Sequence, residues 1–176
     1  MRYADGPATS SEIHVDASPA TVWALVTDIG IPARFSPELQ RVEWLDGARA
    51  PVPGALFAGH NKNPDIGEWT STSRIAEVSE ERAFAWDVVD PDGRFGPAAP
   101  AASAEPLCHW RFELSAADGG TLLRHSARVG PAPSGLSSFI AQAPEQEEEI
   151  IAGRLASLRG GIEATLAGIK ELAEAR

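Results

Sequence analysis

The closing stretch of the chain, PEQEEEIIAGRLASLRGGIEATLAGIKELAEAR at residues 144–176, decides the fold. Its apolar residues recur at steps of three and four, which is the period of one helix face. They are Ile151, Leu155, Leu158, Ile162, Leu166 and Ile169. The pattern predicts a helix from about Pro144 to the end, roughly 45 Å long at ~1.5 Å per residue. Such a helix must bury its apolar stripe against another layer of the protein.

Two adjacent glycines, Gly160 and Gly161, lie in the middle of this predicted helix. Glycine is ~1 kcal/mol less favourable than alanine at an interior helix position. The pair therefore indicates either close packing of the helix against a sheet or room for a ligand beside it.

Seven stretches before this helix alternate apolar and polar residues, which is typical of half-buried strands. They are SSEIHVDAS, QRVEWL, GALFAGHNK, EWTSTSRIAEV, RAFAWDVV and the two strands of HWRFELSAADGGTLLRHSARV, residues 109–129. Short turns join most consecutive strands, so the predicted sheet is antiparallel.

Two short helices are expected after the first strand. SPATVWALVTDI predicts a helix that Ser18 can cap, and GIPARFSP has prolines that limit it to one turn. The Pro- and Ala-rich residues 91–106 and the segment GPAPSGLSSFIAQAP are interpreted as loops. The predicted fold is one α+β domain over residues 1–176, with a curved antiparallel sheet of about seven strands wrapped around the long C-terminal helix.

Composition excludes several classes of partner. The net charge of -10 repels phosphates, so we expect neither nucleic acid nor insertion into a membrane. No apolar run is long enough for a membrane helix and no signal peptide is evident, which makes the cytoplasm the default location. The one cysteine, Cys108, is interpreted as a buried thiol.

Four groups of motifs, in this order along nearly the whole chain, resemble the START-like or helix-grip superfamily, in particular its bacterial polyketide cyclase/dehydrase-like branch (SRPBCC). They are SPATVWALVTDI with FSPELQRVEWL, GALFAGHN with EWTSTSRIAEV and FAWDV, WRFEL with GGTLLRHS, and RLASLRGGIEATLAGIKELAE. The resemblance implies a cavity between the sheet and the C-terminal helix. Members of the superfamily include lipid and hormone binders, aromatic polyketide cyclases and co-chaperone-type stimulators.

Side chains alternate along a strand, so position parity sorts the residues by face. His125 falls on the inner face beside Trp110 and Phe112, whereas His109 points to solvent and His14 and His60 also face outward. We expect the ligand-binding residues to be Phe57, Asn61, Trp69, Ser71, Ser73, Phe84, Trp86, Trp110, Phe112, His125, Leu158 and Ile162.

An aromatic lining with few polar groups is typical of a small-molecule pocket. The first hypothesis is a protein that binds an apolar, ring-containing small molecule, as a monomer or homodimer. The alternative is a polyketide cyclase or dehydratase that uses His125 as acid or base, and a co-chaperone-like stimulator ranks below both. The scattered histidines predict no metal site, and we expect no cofactor. The loops at 91–106 and 130–143 are expected to form a mouth or lid, with Arg94 and Phe95 as gate residues.

Overall fold

Seven strands form one antiparallel sheet in the computed structural model, which describes residues 1–176. They are β1 (Ala8–Val15), β2 (Leu39–Trp44), β3 (Leu56–Asn63), β4 (Gly67–Ser79), β5 (Ala83–Val89), β6 (Cys108–Ala117) and β7 (Gly120–Val129). Their spatial order is β1-β7-β6-β5-β4-β3-β2, so the first strand pairs with the last. The predicted α+β fold is confirmed.

The helices are α1 (Pro19–Val26), α2 (Ile31–Phe35), α3 (Gly135–Gln142) and α4 (Glu147–Glu174). Ser18 caps α1 as expected, because its hydroxyl accepts a hydrogen bond from the Thr21 backbone. The long helix α4 begins at Glu147, since Pro144–Gln146 forms a separate 3-10 turn. The two short helices after β1 and the long closing helix therefore agree with the prediction.

The expectation of a loop throughout GPAPSGLSSFIAQAP is wrong, because this segment contains α3. Ser134 and Ser137 form a reciprocal capping box: the Ser137 hydroxyl accepts from the Ser134 backbone at 2.8 Å, and the Ser134 hydroxyl accepts from the Ser137 backbone at 3.3 Å. The capping box satisfies amide groups that would otherwise lack partners at the start of the helix. Leu136, Phe139 and Ile140 also follow the period of one helix face, and Leu136 packs against the core while Ile140 is buried.

One end of the sheet holds a dry core. Helix α4 approaches β1 most closely and also contacts β7, α1 and α2, whereas its backbone stands away from β3, β4 and β5. Its buried Leu166 and Ile169 lie in the same cluster as Leu123 and Val15 of the sheet. The space between α4 and β3–β5 is therefore the part of the interior where a pocket can form.

A seam joins the other side of α4 to residues 35–38, which lead from α2 into β2. Three residues of α4 at seven-residue spacing face this segment. Gly168 lies against the Phe35 ring, Gly161 lies beside Pro37, and Arg154 forms an ion pair with Glu38.

The interpretation that the Gly160–Gly161 pair packs closely against the sheet is wrong, and the interpretation that it leaves room for a ligand stays a prediction. Gly160 faces open space, and the nearest atom to a Cβ on Gly161 would be on Pro37, 3.8 Å away. The glycine at which the helix packs most closely is Gly168, where an added Cβ would lie 2.3 Å from the Phe35 ring. The absence of a side chain at Gly168 lets α2 and α4 approach each other.

Candidate ligand-binding pocket

The concave face of the sheet carries an aromatic cluster at its centre. Strand pairing sets Trp86 opposite Trp110, and their rings stack at 6.0 Å with an interplanar angle of 9°. Phe112 pairs with His125 on β7, and these two rings stack at 3.8 Å. Trp86, Trp110, Phe112 and His125 therefore lie on the concave face, as position parity predicted.

His125 is held in one tautomer. Its Nδ1 lies 3.1 Å from the backbone oxygen of Arg111, and a carbonyl oxygen only accepts, so Nδ1 carries the proton. Nε2 is then an acceptor, and it has no protein partner. Asp90 Oδ1 is the one side-chain oxygen or nitrogen that is both buried and without a partner, which means that His125 Nε2 keeps contact with accessible space.

Burial lowers the pKa of His125 from 6.5 to about 4, although the bond to Arg111 acts in the opposite direction. The imidazole is therefore neutral at physiological pH. It can accept a hydrogen bond from a ligand, but it is a weak base and it has no carboxylate partner that would support an imidazolium.

The buried His125 is expected to destabilise the fold in mild acid. Above pH 6.5 the imidazole is neutral in both folded and unfolded chains. Between pH 6.5 and about 4 the unfolded chain takes up a proton that the folded protein does not, so stability falls by about 3 kcal/mol in total. Urea unfolding measures the free energy of unfolding at each pH across this range. This free energy should fall less steeply with decreasing pH in His125→Leu than in wild type, and an equal pH dependence in the two proteins would contradict the assignment.

Part of the concave face is not filled by protein atoms. Asn61, Trp69, Ser71, Cys108 and Trp110 are only half-buried, although they lie on this face. Burial raises the pKa of the Cys108 thiol to about 12. The thiol is therefore protonated at physiological pH, and it keeps some accessible surface on the concave face.

The tryptophans support the same conclusion. None of the five indole N–H groups has a hydrogen-bond acceptor in the protein, and none is sealed from accessible space. Buried indole N–H groups usually find a partner. The N–H groups of Trp86 and Trp110 are therefore free to donate to water or to a ligand.

The residues predicted to bind ligand differ in their exposure. The buried members of the apolar core are Phe57, Phe84, Trp86, Phe112, Leu158 and Ile162, and Ser73 and His125 are buried polar residues. Asn61, Trp69, Ser71 and Trp110 are half-buried. The candidate pocket is therefore the part of the concave face that carries the half-buried residues.

The residues in this part of the face form adjacent rows of strand pairs. Phe57 faces Ser73, Ser73 faces Val88, and Val88 faces Cys108 across four consecutive strands. The next rows outward hold Gly59 with Ser71 and Asn61 with Trp69. Asn61 donates to the Gly59 carbonyl at 3.2 Å and lies 3.5 Å from the Ser71 hydroxyl. Small and polar residues therefore form this wall of the pocket.

The expectation that His109 points freely to solvent is wrong. It lies on the convex face as predicted, but its Nδ1 is 2.7 Å from Asp87 Oδ1, and Arg74 donates to the other Asp87 oxygen at 2.8 Å. Burial raises the pKa of Asp87, and the bonds to His109 and Arg74 more than offset this effect, so that its pKa is lowered overall.

Arg74 also holds the long loop at residues 91–106. Its guanidinium donates to the backbone oxygens of Ala101 and Ala104, at 2.5 and 3.2 Å. This part of the loop therefore covers the convex face. Arg94 donates to the Thr70 backbone, and the Phe95 ring lies beside Gly135 at the start of α3. A gating role for Arg94 and Phe95 stays a prediction.

Two open grooves of about 510 and 720 Å³ lie along the convex face. Charged side chains such as Arg111, Glu113 and Arg124 line both of them. An apolar ligand does not fit such a lining, so we place the candidate site on the concave face. The structure has no cluster of three or more potential metal-ligating side chains, and no helix is both long and apolar enough to span a bilayer.

A curved antiparallel sheet around a long C-terminal helix, with an aromatic cluster on its concave face, defines the helix-grip class of proteins. The chain belongs to the family described as polyketide cyclase/dehydrase and lipid transport, which matches residues 7–174. Membership of this family supports ligand binding or cyclase chemistry, and it assigns no specific substrate. None of the curated proteins matches the chain significantly.

Solved structures similar to this chain include the Polyketide_cyc-like protein Cgl2372 from Corynebacterium glutamicum, with 28% identity and a TM-score of 0.60, covering 96% of this chain and 91% of that one. The Zhui aromatase/cyclase from Streptomyces sp. R1128 has 19% identity and a TM-score of 0.66, covering 97% and 94%. The di-domain ARO/CYC BexL from the BE-7585A biosynthetic pathway has 18% identity and a TM-score of 0.66, covering 97% and 50%. The likeness to the last two is one of fold.

Proposed function

We propose that the protein binds an apolar, ring-containing small molecule in the enclosed space between α4 and strands β3–β6. The observation that carries the proposal is the half-buried concave wall, where Cys108 and Trp110 keep accessible surface beside the buried Trp86. Stacked Trp86 and Trp110 offer aromatic faces and edges to a flat ligand.

The polar groups of this pocket have defined roles in the proposal. His125 Nε2 accepts a hydrogen bond, and the indole N–H groups of Trp86 and Trp110 donate. A ring system with one or two polar substituents satisfies these groups, whereas a plain hydrocarbon leaves them unpaired. Leaving a buried polar group unpaired costs ~1–3 kcal/mol.

The net charge bears on the partners of the protein, whereas location and oligomeric state are carried over from the sequence as proposals. The net charge of -10 opposes binding of nucleic acid. We place the protein in the cytoplasm, as a monomer or a homodimer, with a hydrophobic small molecule as its partner.

Filling the pocket is expected to abolish binding of a simple aromatic probe. Ser71→Leu adds bulk opposite Gly59, which has no side chain, and should weaken binding of 2-ethylnaphthalene at least tenfold. Thr72→Leu, the adjacent residue on the convex face, should leave the affinity within about twofold of wild type. Quenching of tryptophan fluorescence measures the affinity, and mass spectrometry of the intact protein tests for a co-purified compound. Equal affinities in the two variants would refute the location of the pocket.

Cyclase chemistry through His125 is the second candidate, and membership of the family favours it. Cyclase chemistry ranks below binding because the His125 imidazole is neutral and has no carboxylate partner. Once a compound that the protein converts is known, His125→Leu distinguishes the two roles. A variant that still binds the compound but no longer converts it would establish catalysis by His125, whereas weaker binding at unchanged turnover would establish an anchor.

A further inference from the structure

The seam between α4 and residues 35–38 ends in a partly buried ion pair between Arg154 and Glu38. Arg154 Nη1 and Nη2 donate to Glu38 Oε2 and Oε1, both at 2.8 Å, and Asn63 Nδ2 donates to Oε2 at 3.2 Å. The side chains of Arg154 and Glu38 are only 22% and 19% exposed. The fork of two parallel bonds fixes the orientation of the guanidinium.

The pair lies near the concave wall rather than on a remote surface. Asn63, which donates to Glu38, lies two residues from the half-buried Asn61 on β3, and therefore on the same face of the sheet. Leu39, the residue after Glu38, pairs with Asn61. Glu38 and its partner Arg154 therefore lie close to the half-buried wall that contains Asn61.

Stability alone does not explain such a pair. Burying two charges costs desolvation, and apolar residues of similar volume often give a fold of equal or greater stability. Arginine has five N–H donors, of which two bind Glu38. Arg154 Nε has no protein acceptor, and it is not sealed from accessible space. The guanidinium thus has donors that the protein does not use.

We propose that Arg154, positioned by Glu38, binds a carbonyl oxygen of the ligand and selects uncharged carbonyl compounds over carboxylates. This inference rests on the proposed function. Arg154 and Glu38 together carry no net charge, so a carbonyl gains a charge-assisted hydrogen bond without meeting repulsion. A carboxylate in the same place lies beside the Glu38 carboxylate, in a protein whose net charge is already -10.

Three probes of the same ring system test the selection: 2-acetylnaphthalene, 2-ethylnaphthalene and 2-naphthoate. Wild type should bind the ketone about tenfold more tightly than the other two, as expected for one hydrogen bond to a charged group. Arg154→Met should remove this advantage and leave the affinity for 2-ethylnaphthalene unchanged. Glu38→Gln keeps the guanidinium and removes the negative charge, so it should raise the affinity for 2-naphthoate about tenfold.

If the ion pair were only structural, Glu38→Gln would not raise the affinity for 2-naphthoate. Binding of 2-ethylnaphthalene controls for folding in each variant, and the double variant Arg154→Met/Glu38→Leu replaces both charges if the single change unfolds the protein. Equal binding of all three probes by wild type overturns the role of Arg154 and leaves the proposed function standing. Failure of wild type to bind any probe overturns both.

Discussion

Replacing Phe112 with alanine is expected to lower the free energy of unfolding by ~3–5 kcal/mol. Phe112 is fully buried, stacks on His125 and lies within 6.0 Å of Trp86, measured between ring centroids. The change removes most of a ring from a close-packed interior, and the surrounding sheet cannot collapse to fill the cavity. Urea unfolding of the purified variant measures the loss.

Phe139→Ala provides the matched control for this substitution. Phe139 lies on α3 with 59% of its surface exposed, so the same truncation there should change stability by no more than ~0.5 kcal/mol. Similar losses at both positions would contradict the assignment of the dry core. A small loss at Phe112 would show instead that its side of the sheet is loosely packed.

The substitution Gly168→Leu is expected to destabilise the protein by ~3 kcal/mol, or to prevent folding. Its Cβ would lie 2.3 Å from the Phe35 ring, a separation that forces α2 away from α4. Overpacking of this kind usually costs ~1–3 kcal/mol, and here it also disrupts the seam at residues 35–38. Thermal unfolding followed by circular dichroism measures the effect.

Gly160→Leu isolates the steric effect because Gly160 is on the same helix and has no atom within 4 Å of an added Cβ. The leucine should stabilise α4 by up to ~1 kcal/mol, since glycine has low helix propensity. The two variants are therefore expected to shift the unfolding temperature in opposite directions. Destabilisation of both to the same extent would indicate that α4 tolerates no larger residue, independently of the seam.

The strands and their faces could be predicted because strand alternation is a local property of the sequence. Parity alone places Trp110 and His125 on one face and His109 on the other. Parity does not show whether the outer face is covered, which is why the contact of His109 with Asp87 was not predicted. Helix α3 has both a Ser134–Ser137 capping box and an apolar period at Leu136, Phe139 and Ile140, but it is only eight residues long and follows a Pro- and Gly-rich stretch, so the segment was predicted to be a loop.

The pocket could be predicted only in part, because accessibility depends on how far α4 stands from each strand. Phe84 and Trp86 have the same parity, but one is sealed in the core and the other retains some exposure. Arg154 and Glu38 are 116 residues apart, and although both lie in stretches that carry the family resemblance, nothing in those stretches indicates that they meet. The one available signal was the spacing of Arg154, Gly161 and Gly168 at intervals of seven residues on one helix line.

The separation of the dry core from the half-buried pocket wall has an evolutionary consequence. Residues such as Phe112 and Leu123 hold the fold at one end, whereas Asn61, Trp69 and Ser71 lie in the wall at the other. Substitutions in the wall remove little packing, so they can accumulate without unfolding the chain. A lineage of such proteins can therefore change its ligand preference by a few mutations while the scaffold stays the same.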